Sequence, residues 1–485
     1  MVPTLEEIQT QLTAFGLFQL LADEPHSFFL DSGMDAPSPA KRGFRYAELG
    51  RYSFIGSHPF LIFRSKGTTL QLDWRDRVEQ RSGDPFDALR EILNRLQSAP
   101  LPGDLPFIGG VGYLGYPLRC FIEELPATAH DDLKLPDCYF AFYDAIVAFD
   151  HLSNQVYLCR SDVNDGSVNR PQQRVEKLRS ILQSENHHPQ LHSEGFKSRA
   201  AHFTKSPIRS NFSKIDYLST VQRAKAYIAS GDIYQVNLSQ RLSTLIDLPP
   251  AELYARLRQL SPVPYGAYLH CGDFHVLSAS PERFLHFSPS CRTVETRPIK
   301  GTRPRGLTPE LDRKLAIELL HSEKDLAELL MIVDLERNDL GRVCEIASIH
   351  VPERVALESY SNIHHLVATV RGTLRSDADR IDLLNSCFPG GSITGAPKIR
   401  AMELIDELEP TNRGVYTGAI GYFGFDGTMD LNIAIRTCIL KQGRAYFHVG
   451  GGIVADSEPE AEYQETLDKA SSWLAVLEGD MKHDR

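Results

Sequence analysis

The stretch Tyr139-Phe140-Ala141-Phe142-Tyr143-Asp144-Ala145-Ile146-Val147-Ala148-Phe149 is apolar and aromatic apart from one aspartate. A run of β-branched and aromatic residues without a helical period predicts strands. Similar short runs, separated by turn residues, extend from Ser27 to about Cys159. This part of the chain is therefore predicted to form strands of a sheet.

The composition changes on the carboxy-terminal side of these runs. Residues from about 161 to 212 are polar, and one helical segment is predicted near Gln172–Leu182. Further on, helices are predicted over Ile215–Ser230 and Ala316–Asp334, and strands over Phe274–Ser278 and Arg444–Val449. Because strands and helices mix without steady alternation, an α+β fold is predicted rather than a doubly wound parallel sheet.

These changes predict four parts. They are an amino-terminal region over residues 1–160, a polar linker or excursion over 161–212, a mixed region over 213–475 and a polar tail over 476–485.

Bulk composition excludes several classes of function. The 485 residues carry 52 Lys and Arg against 63 Asp and Glu, and a net charge of −11 argues against a dedicated binder of nucleic acid or anionic membranes. The eight cysteines form no Cys-x-x-Cys pair, and neither a secretory signal nor a long apolar run is present. We therefore expect reduced thiols and a cytoplasmic protein that neither binds nucleic acid nor enters a membrane.

The segment Pro298–Arg305 places Lys300 between an apolar step and a predicted glycine-rich turn flanked by arginines. A lysine attacks carbon only as the neutral amine, and its ordinary pKa is about 10.4. Partial burial and the cationic neighbours Arg297, Arg303 and Arg305 would lower that pKa and favour a nucleophile. The same residues also fit an ordinary surface turn.

Two predicted helices each carry carboxylates three residues apart, Asp325 with Glu328 and Glu462 with Glu465. This spacing places each pair on one helix face. Carboxylates from two elements suit Mg²⁺, which keeps positions for water and substrate. A solvated helix face is the alternative for each pair.

Two glycine-rich segments could approach a ligand with their backbones. The loop Pro389–Lys398 precedes a helix predicted to run to about Glu409, with Pro397 in its first turn, and it lacks the Lys-Ser/Thr ending of a Walker A loop. Gly450, Gly451 and Gly452 follow a predicted strand. Either segment could bind an anion or only make a tight turn.

Arg436 alternates with apolar neighbours on a predicted strand. Pointing inward it would bind a carboxylate with two parallel hydrogen bonds, and pointing outward it would be solvated. Alternation alone leaves both orientations open.

Four motifs in order resemble those of the chorismate-utilising enzymes. They are Lys300 in its segment, Met331–Val343, the loop Pro389–Lys398, and Gly450–Ser457. The resemblance covers residues 213–475, and a weaker one, including Gly50–Gly56, covers the amino-terminal region of the large subunits of anthranilate synthase and aminodeoxychorismate synthase. It implies a large two-lobed fold with antiparallel sheets packed face to face and helices outside, and a chorismate-binding region over residues 213–475.

Two positions indicate the reaction within this family. Gln235 stands where isochorismate and salicylate synthases carry a lysine that activates water, and an amide cannot act as that base. The resemblance therefore implies ammonia as the nucleophile. Lys300 is similar to the lysine of aminodeoxychorismate synthases, whereas anthranilate synthases typically carry alanine there. It implies covalent attack at ring C2, amination at C4 and a 4-amino-4-deoxychorismate product on the route to folate.

Further roles follow from the resemblance. Glu282 would be the acid for loss of the C4 hydroxyl, and His365, next to His364, matches the family histidine. Glu328 and Glu465 would bind Mg²⁺, assisted by Asp325 and Glu462. The residues expected to contact the substrate are Gly301, Thr302, Thr394, Tyr416, Arg436, Gly450, Gly451, Gly452, Lys469 and Gln235.

The resemblance also implies a partner and a second pocket. No Gly-x-Cys-x-Gly motif of a glutaminase is present, so ammonia would come from free solution or from a separate glutamine amidotransferase subunit. In the family an amino-terminal site binds tryptophan, and here Phe29-Leu30-Asp31-Ser32 departs from its Leu-Leu-Glu-Ser pattern. The residues expected for such a pocket are Ser32, Arg51, Tyr52, Ser53, Phe54, Pro264, Tyr265 and Gly266. A pocket without regulatory function, or none, is the alternative.

Two other functions remain compatible with the motifs. An anthranilate synthase would share most of these residues, and Lys300 is the feature that argues against it. A noncatalytic tryptophan-binding relative would not need Lys300, Glu282, Glu328 and Glu465 intact.

Overall fold

The computed structural model describes residues 3–35, 49–99, 108–161, 170–184, 206–360 and 363–478, which form twenty-four strands and ten α-helices. The strands are β1 Pro3–Glu7, β2 Phe28–Asp31, β3 Tyr52–Gly56, β4 Leu61–Lys66, β5 Thr69–Trp74, β6 Val78–Ser82, β7 Gly109–Leu114, β8 Cys138–Phe142, β9 Ala145–Asp150, β10 Gln155–Ser161, β11 Arg209–Ser210, β12 Gln235–Leu245, β13 Tyr265–His270, β14 Phe274–Ser280, β15 Arg283–Ser288, β16 Thr293–Arg297, β17 Ile299–Pro304, β18 His350–Ser359, β19 Ile363–Thr373, β20 Gly395–Ala396, β21 Ala419–Gly424, β22 Met429–Ile433, β23 Thr437–Lys441 and β24 Arg444–Ile453. The helices are α1 Ala14–Leu21, α2 Pro85–Arg95, α3 Arg170–Gln183, α4 Lys214–Ala229, α5 Pro250–Leu260, α6 Pro309–Leu320, α7 Glu323–Gly341, α8 Arg380–Cys387, α9 Lys398–Leu408 and α10 Pro459–Glu478. Short 3₁₀ turns span Tyr116–Phe121 and Gly391–Ile393.

The strands form two antiparallel sheets of twelve strands each. The first sheet has the order β1-β10-β9-β3-β2-β13-β14-β23-β24-β12-β11, with β20 also paired to β12. The second has the order β17-β19-β16-β15-β22-β21-β7-β8-β4-β5-β6, with β18 also paired to β19. Strands from both halves of the sequence share each sheet, since β2 pairs with β13 and β7 pairs with β21. The domain limits at residues 160 and 213 stay predictions, and they do not divide the sheets.

The apolar stretch Tyr139–Phe149 connects the two sheets. It supplies most of β8, an inner strand of the second sheet, and, after a turn at Asp144, β9 of the first sheet. Phe140 packs on the helix side of its sheet, whereas Tyr139 packs between the two sheets. Both faces of this stretch are buried, which explains why almost no polar residue interrupts it.

Three larger apolar cores separate four layers, and a smaller fourth core packs α4 and α9 on β12 of the first sheet. The inner core lies between the sheets and includes Phe28, Tyr139 and Val276. One outer core packs α1, α3, α5 and α10 on the first sheet, and the other packs α2, α6, α7 and α8 on the second. The predicted α+β fold, with antiparallel sheets packed face to face and helices outside, is confirmed.

Most of the predicted elements are present, with one helix assigned wrongly. The strand runs at 274–278 and 444–449 lie in β14 and β24, and the helices near 172–182 and 215–230 correspond to α3 and α4. The single helix predicted over Ala316–Asp334 is wrong, because α6 ends at Leu320 and α7 begins at Glu323. The Ser322 hydroxyl caps α7 by accepting a hydrogen bond from the Asp325 amide.

Other sequence predictions concern the rest of the chain. All eight cysteines are free and six are buried. No helix in the described ranges is long and apolar enough to cross a membrane. Residues 162–169 and 185–205 of the predicted linker, and residues 479–485 of the predicted tail, lie outside the described residues.

Candidate active site

Lys300 lies on a bulged strand rather than in a turn. It belongs to β17, which pairs with β19, and the register shifts between Lys300 and Thr302. Gly301 occupies the bulge with φ +72°, and a Cβ there would lie 2.9 Å from Leu319 and 3.0 Å from Asp325. The predicted glycine-rich turn is therefore wrong, because strand pairing continues on both sides of Gly301. Any residue with a side chain would be strained at this position of the bulge.

The Lys300 amine is held inside the site. Its Nζ donates to the carbonyl oxygen of Ser392 at 3.2 Å. Burial lowers the pKa of Lys300, and the positive charge of Lys469 lowers it further, while Glu328 and Glu282 oppose this. The net lowered pKa raises the fraction of neutral amine at a given pH, which is the form that attacks carbon.

The arginines beside Lys300 in the sequence are committed elsewhere. The pairs are Arg297 with Glu358 at 2.5 Å, Arg303 with Glu318 at 2.8 Å and Arg305 with Asp312 at 2.6 Å. Each guanidinium is neutralised by its own carboxylate. The prediction that these arginines lower the pKa of Lys300 is wrong, and the relevant cation is Lys469 from α10.

Carboxylates of α10 face the glycine strand β24. A Cβ at Gly451 would lie 3.2 Å from Glu462 Oε2 and 3.4 Å from Glu465 Oε1. Glu462 is buried and accepts the Ser457 hydroxyl at 2.6 Å. Glu465 pairs with Lys469 at 2.7 Å, and the same amine donates to the Gly450 carbonyl at 3.0 Å. Glu462 is therefore an inner group of the site, whereas the Glu465 side chain is 45% exposed and lies at the rim.

Glu328 approaches from α7. Burial raises its pKa, the positive charge of Lys300 lowers it, and the like charges of Asp325 and Glu465 raise it. It makes no hydrogen bond or ion pair with any described residue, whereas Asp325 pairs with Arg303 at 3.2 Å. Glu328, which has no ion-pair partner among the described residues, is close enough to the charges of Asp325 and Glu465 to be repelled by them. Such a group of carboxylates favours a cation between its members.

The carboxylate set fits a Mg²⁺ ion that shares its coordination with substrate and water. No three His, Cys, Asp or Glu side chains in the described ranges are placed to hold a metal by themselves. Mg²⁺ usually takes only one or two protein carboxylates and keeps waters or substrate oxygens. Glu328 and Glu465 would supply those two, with Asp325 and Glu462 behind them.

Glu282 stands at the junction of the two sheets, between β14 and β15. Its side chain is buried, and its Oε1 accepts the Ile299 amide at 3.4 Å. Burial raises the pKa of Glu282 to about 7, although the charge of Lys300 opposes the shift. A carboxylic acid that is protonated near neutral pH can donate a proton to a leaving hydroxyl.

The adjacent histidines differ in their surroundings. His365 is 1% exposed on β19, and burial lowers its pKa to about 3, so the imidazole is neutral. Its Nδ1 lies 3.3 Å from the Gly301 carbonyl oxygen, which can only accept, so Nδ1 carries the proton. Nε2 is then an acceptor without a partner among the described residues. His364 instead contacts Asp312 at 3.0 Å and Ser359 at 2.8 Å.

Arg436 is a cation without a counterion. It lies between β22 and β23 with φ +50°, so its predicted place on a strand is wrong. Burial lowers the pKa of Arg436, and no described residue forms a hydrogen bond or ion pair with its guanidinium. A buried unpaired guanidinium is a strong site for a carboxylate. The positive charge of Arg436 lowers the pKa of Glu282 and of His365.

Other predicted substrate contacts surround these residues. Thr302 Oγ1 lies 3.0 Å from His365 Nδ1, and the Tyr416 ring stacks on His448 at 4.9 Å. Gln235 is 1% exposed, and its Oε1 has no partner among the described residues. A Cβ at Gly452 would lie 2.3 Å from Gln235 Nε2. The absence of a side chain at Gly452 therefore makes room for this amide.

The loop Pro389–Lys398 is braced by its own groups. Thr394 Oγ1 donates to the Gly390 carbonyl at 3.0 Å, so this hydroxyl is committed to the loop. Lys398 pairs with Asp339 and donates to the Pro389 carbonyl at 3.0 Å. Pro397 precedes α9 as its N-cap, not within its first turn as predicted. Sequence reasoning missed Ser392, because its carbonyl acts on Lys300 and a backbone group leaves no sequence signal.

The residues predicted for a tryptophan pocket lie together. A cavity of about 380 Å³ opens between the sheets, and seven of the eight predicted residues line it. Those seven are Ser32, Arg51, Tyr52, Phe54, Pro264, Tyr265 and Gly266. Ser53 lies behind the wall, where its hydroxyl is 2.9 Å from that of Ser32. Arg283 and Asp430 also line the cavity and are paired at 2.8 Å, and the Arg283 guanidinium lies over the Tyr265 ring.

Comparison with known proteins gives a consistent result. The chorismate binding enzyme family matches residues 51–475. Anthranilate synthase component 1 from Acetivibrio thermocellus is 38% identical over 98% of this chain and 95% of its own length. Aminodeoxychorismate synthase component 1 from Bacillus subtilis is 40% identical over 88% of this chain and 90% of its own. The crystal structure of anthranilate synthase component I from Streptococcus pneumoniae is 32% identical, covering 87% of this chain and 92% of that one, with a TM-score of 0.77.

Proposed function

The chain belongs to the chorismate binding enzyme family, and on that premise we propose that it aminates chorismate at C4 with ammonia to give 4-amino-4-deoxychorismate. The observation that carries this proposal is Lys300. Its partly buried amine has a lowered pKa and lies among Glu282, Glu328 and Lys469. An amine with that environment suits a nucleophile better than a surface cation.

The reaction consists of two successive displacements, and the second reverses the double-bond shift of the first. The neutral Lys300 amine bonds to C2, the two ring double bonds shift, and the C4 hydroxyl leaves as water with a proton from Glu282. Ammonia then bonds to C4, the double bonds shift back, and the lysine amine leaves C2. The proton lost by nitrogen restores Glu282, so the net change is chorismate plus ammonia giving product plus water. Lys300 blocks C2, which directs nitrogen to C4.

The remaining groups hold the substrate. Arg436 binds one substrate carboxylate, because its guanidinium is buried and has no counterion among the described residues. Backbone groups of Gly450–Gly452, with Lys469, Tyr416, Gly301 and Thr302, line the rest of the site. Bound Mg²⁺ at Glu328 and Glu465 would neutralise the other carboxylate. The neutral His365 offers Nε2 as an acceptor.

The ammonia comes from a separate subunit in this proposal. The chain has no glutaminase nucleophile motif, and the curated relatives carry the name component 1. We expect a glutamine amidotransferase partner, with free ammonium replacing it in the test tube at high concentration.

A second candidate function is anthranilate synthesis. Anthranilate synthases match this chain as well as an aminodeoxychorismate synthase does. In that reaction ammonia itself would attack C2, a position that the Lys300 amine competes for. The environment of Lys300 favours amination at C4.

One assay distinguishes the two reactions. Chorismate, Mg²⁺ and ammonium salt are expected to give a product that yields p-aminobenzoate only after a separate aminodeoxychorismate lyase is added. Lys300→Ala is expected to abolish C4 amination, while Lys324→Ala, which removes an exposed lysine of α7 beside Glu328, retains it. Fluorescent anthranilate formed without the lyase would contradict the proposal.

We also propose that the cavity between the sheets accepts tryptophan. Its wall combines the ring of Tyr265 with the charged pair Arg283 and Asp430, which suits an aromatic amino acid. Calorimetric titration is expected to detect tryptophan, and Ala267→Leu should prevent binding because this alanine lines the cavity and faces the core between the sheets. An unchanged titration with that variant, or no heat with the unsubstituted chain, would contradict this assignment.

A further inference from the structure

Two buried guanidiniums lie over the ring of Tyr116. Arg413 is 5.0 Å and Arg119 is 4.4 Å from the ring centroid. Arg413 pairs with Glu409 at 2.7 Å, and their side chains are 1% and 3% exposed. Arg119 pairs with Asp406 at 3.0 Å, with exposures of 4% and 2%. The two ion pairs are matched in burial and share the Tyr116 ring, but the Arg413 pair has a second hydrogen bond, from Nε to Glu409 Oε2 at 2.8 Å.

Only the Arg413 pair reaches the active site. Arg413 Nη1 donates to the Ile393 carbonyl at 3.0 Å, and Nη2 donates to the Asn237 carbonyl at 2.8 Å. Glu409 Oε1 accepts the Ser239 amide at 2.8 Å and the Ser239 hydroxyl at 2.9 Å. One ion pair therefore ties the 3₁₀ turn Gly391–Ile393 to strand β12.

The two tied segments each carry a group of the site. Ser392 precedes Ile393, and its carbonyl accepts the Lys300 amine at 3.2 Å. Gln235 lies two residues before Asn237 on β12. By contrast, Arg119 Nη2 donates to the Pro126 carbonyl at 3.4 Å, and Asp406 accepts the Thr128 amide at 2.7 Å, neither of which belongs to the site.

We propose that Arg413, held by Glu409, is a positioning residue that fixes the Ser392 carbonyl and thereby the reactive amine of Lys300. The inference rests on the proposed nucleophilic role of Lys300. A lysine side chain has four rotatable bonds, and one hydrogen bond to a fixed carbonyl selects the orientation of its amine. The turn is also joined to β12 by strand β20 and by the Asn237 amide, which donates to the Thr394 carbonyl at 2.8 Å. The guanidinium is the contact that holds the Ile393 carbonyl, next to Ser392.

A lysine cannot replace Arg413 in this role. The planar guanidinium reaches two carbonyls and a carboxylate in fixed directions, whereas an ammonium is a single point of charge. In Arg413→Lys the Ile393 carbonyl is expected to lose its hydrogen bond, although β20 still pairs with β12. Displacement of a reacting group by about 1 Å lowers the rate about 100-fold. A less confined amine is also better hydrated, which raises its pKa toward the ordinary value.

The test compares Arg413→Lys with Arg119→Lys. For Arg413→Lys we expect chorismate consumption with saturating ammonium to fall about 100-fold in kcat, with a small change in KM. The acid limb of its pH profile should move to higher pH, because a larger share of Lys300 is protonated at each pH. Arg119→Lys, the matched substitution, should leave both kcat and the position of the limb within about twofold and a few tenths of a pH unit of the unsubstituted chain.

A second readout does not depend on the product. Competitive labelling of amines with trace acetic anhydride, followed by mass spectrometry, gives the pKa of Lys300 directly. Arg413→Lys should raise it and Arg119→Lys should not.

A second pair of variants, Glu409→Gln and Asp406→Asn, is used if Arg413→Lys does not fold. Glu409→Gln should raise the pKa of Lys300 and lower kcat, and Asp406→Asn should do neither. Equal effects within either matched pair, or an unchanged Lys300 pKa in the folded Arg413 or Glu409 variant, would overturn the positioning role. Anthranilate from the unsubstituted chain would instead overturn the proposed function, and the labelling result would stand.

Discussion

In the proposed reaction, the proton for C4 and the neutral amine for C2 come from two side chains with opposite pKa shifts. Burial raises the pKa of Glu282 to about 7 and lowers the pKa of Lys300. Burial disfavours the charged form of each, so one low-dielectric site prepares both the acid and the nucleophile. Each group also limits the pKa shift of the other, because a carboxylate at Glu282 and an ammonium at Lys300 attract each other.

The pH profile should report both groups. Glu282 is protonated below about pH 7, so activity should fall on the alkaline side as pH rises through that pKa. Glu282→Gln cannot lose a proton, and it should remove this limb while lowering kcat about 10²- to 10⁴-fold. Glu336→Gln is a matched control, since Glu336 is also buried with a raised pKa but accepts the Thr296 hydroxyl at 2.9 Å. If the alkaline limb survives in Glu282→Gln, another group is the acid.

Gly301 combines backbone strain with close packing, and the two effects can be measured separately. Gly301→Ala should destabilise the protein by about 1–2 kcal/mol for its positive φ and by about 1–3 kcal/mol more for its contacts with Leu319 and Asp325. Gly231 has φ +84° with no atom within 4 Å of an added Cβ. Gly231→Ala should therefore show the backbone part alone in urea unfolding. Equal losses for both variants would show that the bulge can accept a side chain.

Residue type and local period predicted part of the site. Lys300, Glu282 and the carboxylate pairs could be identified from motifs, because their chemistry is carried by the side chain itself. The cation that lowers the Lys300 pKa is Lys469, which is far away in the sequence and is brought near by α10 packing. The local arginines were predicted for that role because nothing in the sequence shows that Arg297 pairs with Glu358.

At the scale of elements, the fold depends on which strands are covered on both sides. The fully apolar run Tyr139–Phe149 predicted strands correctly, because helices cover one face and the other sheet covers the second. Arg436 and the α6–α7 break were missed for the opposite reason. Apolar residues flank Arg436, and helix-compatible polar residues fill the segment from His321 to Asp325, while φ +50° at Arg436 and the Ser322 cap interrupt the elements.

The pairing of β12 with β24 depends on a glycine at position 452 of β24, next to Gln235 of β12. Gly452→Ala would place a Cβ 2.3 Å from Gln235 Nε2, so one of the two strands or the amide must move. We expect a loss of about 1–3 kcal/mol in urea unfolding. Gln235→Ala should restore most of that loss in the double variant, giving a coupling of about 0.5–3 kcal/mol. Additive losses would mean that the glycine serves another purpose, such as approach of the backbone to the substrate.

At the scale of the whole molecule, the two halves of the chain interleave. The first sheet places β2 beside β13, and the second places β7 between β21 and β8. Removing the amino-terminal strands would leave β13 and β21 as open apolar edges and would expose the inner core around Val276. Open edges of this kind favour aggregation. The active site, built mainly from residues after 213, therefore depends on strands that precede it.

This dependence can be tested with two fragments, residues 1–184 and 206–485. Residues 206–485 expressed alone should be insoluble or lack a cooperative urea transition, because one sheet edge of each sheet has lost its partner. Coexpression with residues 1–184 should give a one-to-one complex by size exclusion that consumes chorismate. A soluble, cooperatively unfolding and active 206–485 fragment would instead show that the predicted region 213–475 is an independent domain. The inner core argues for the complex, since Tyr139 of one fragment packs against Phe274 of the other at 6.4 Å between ring centroids.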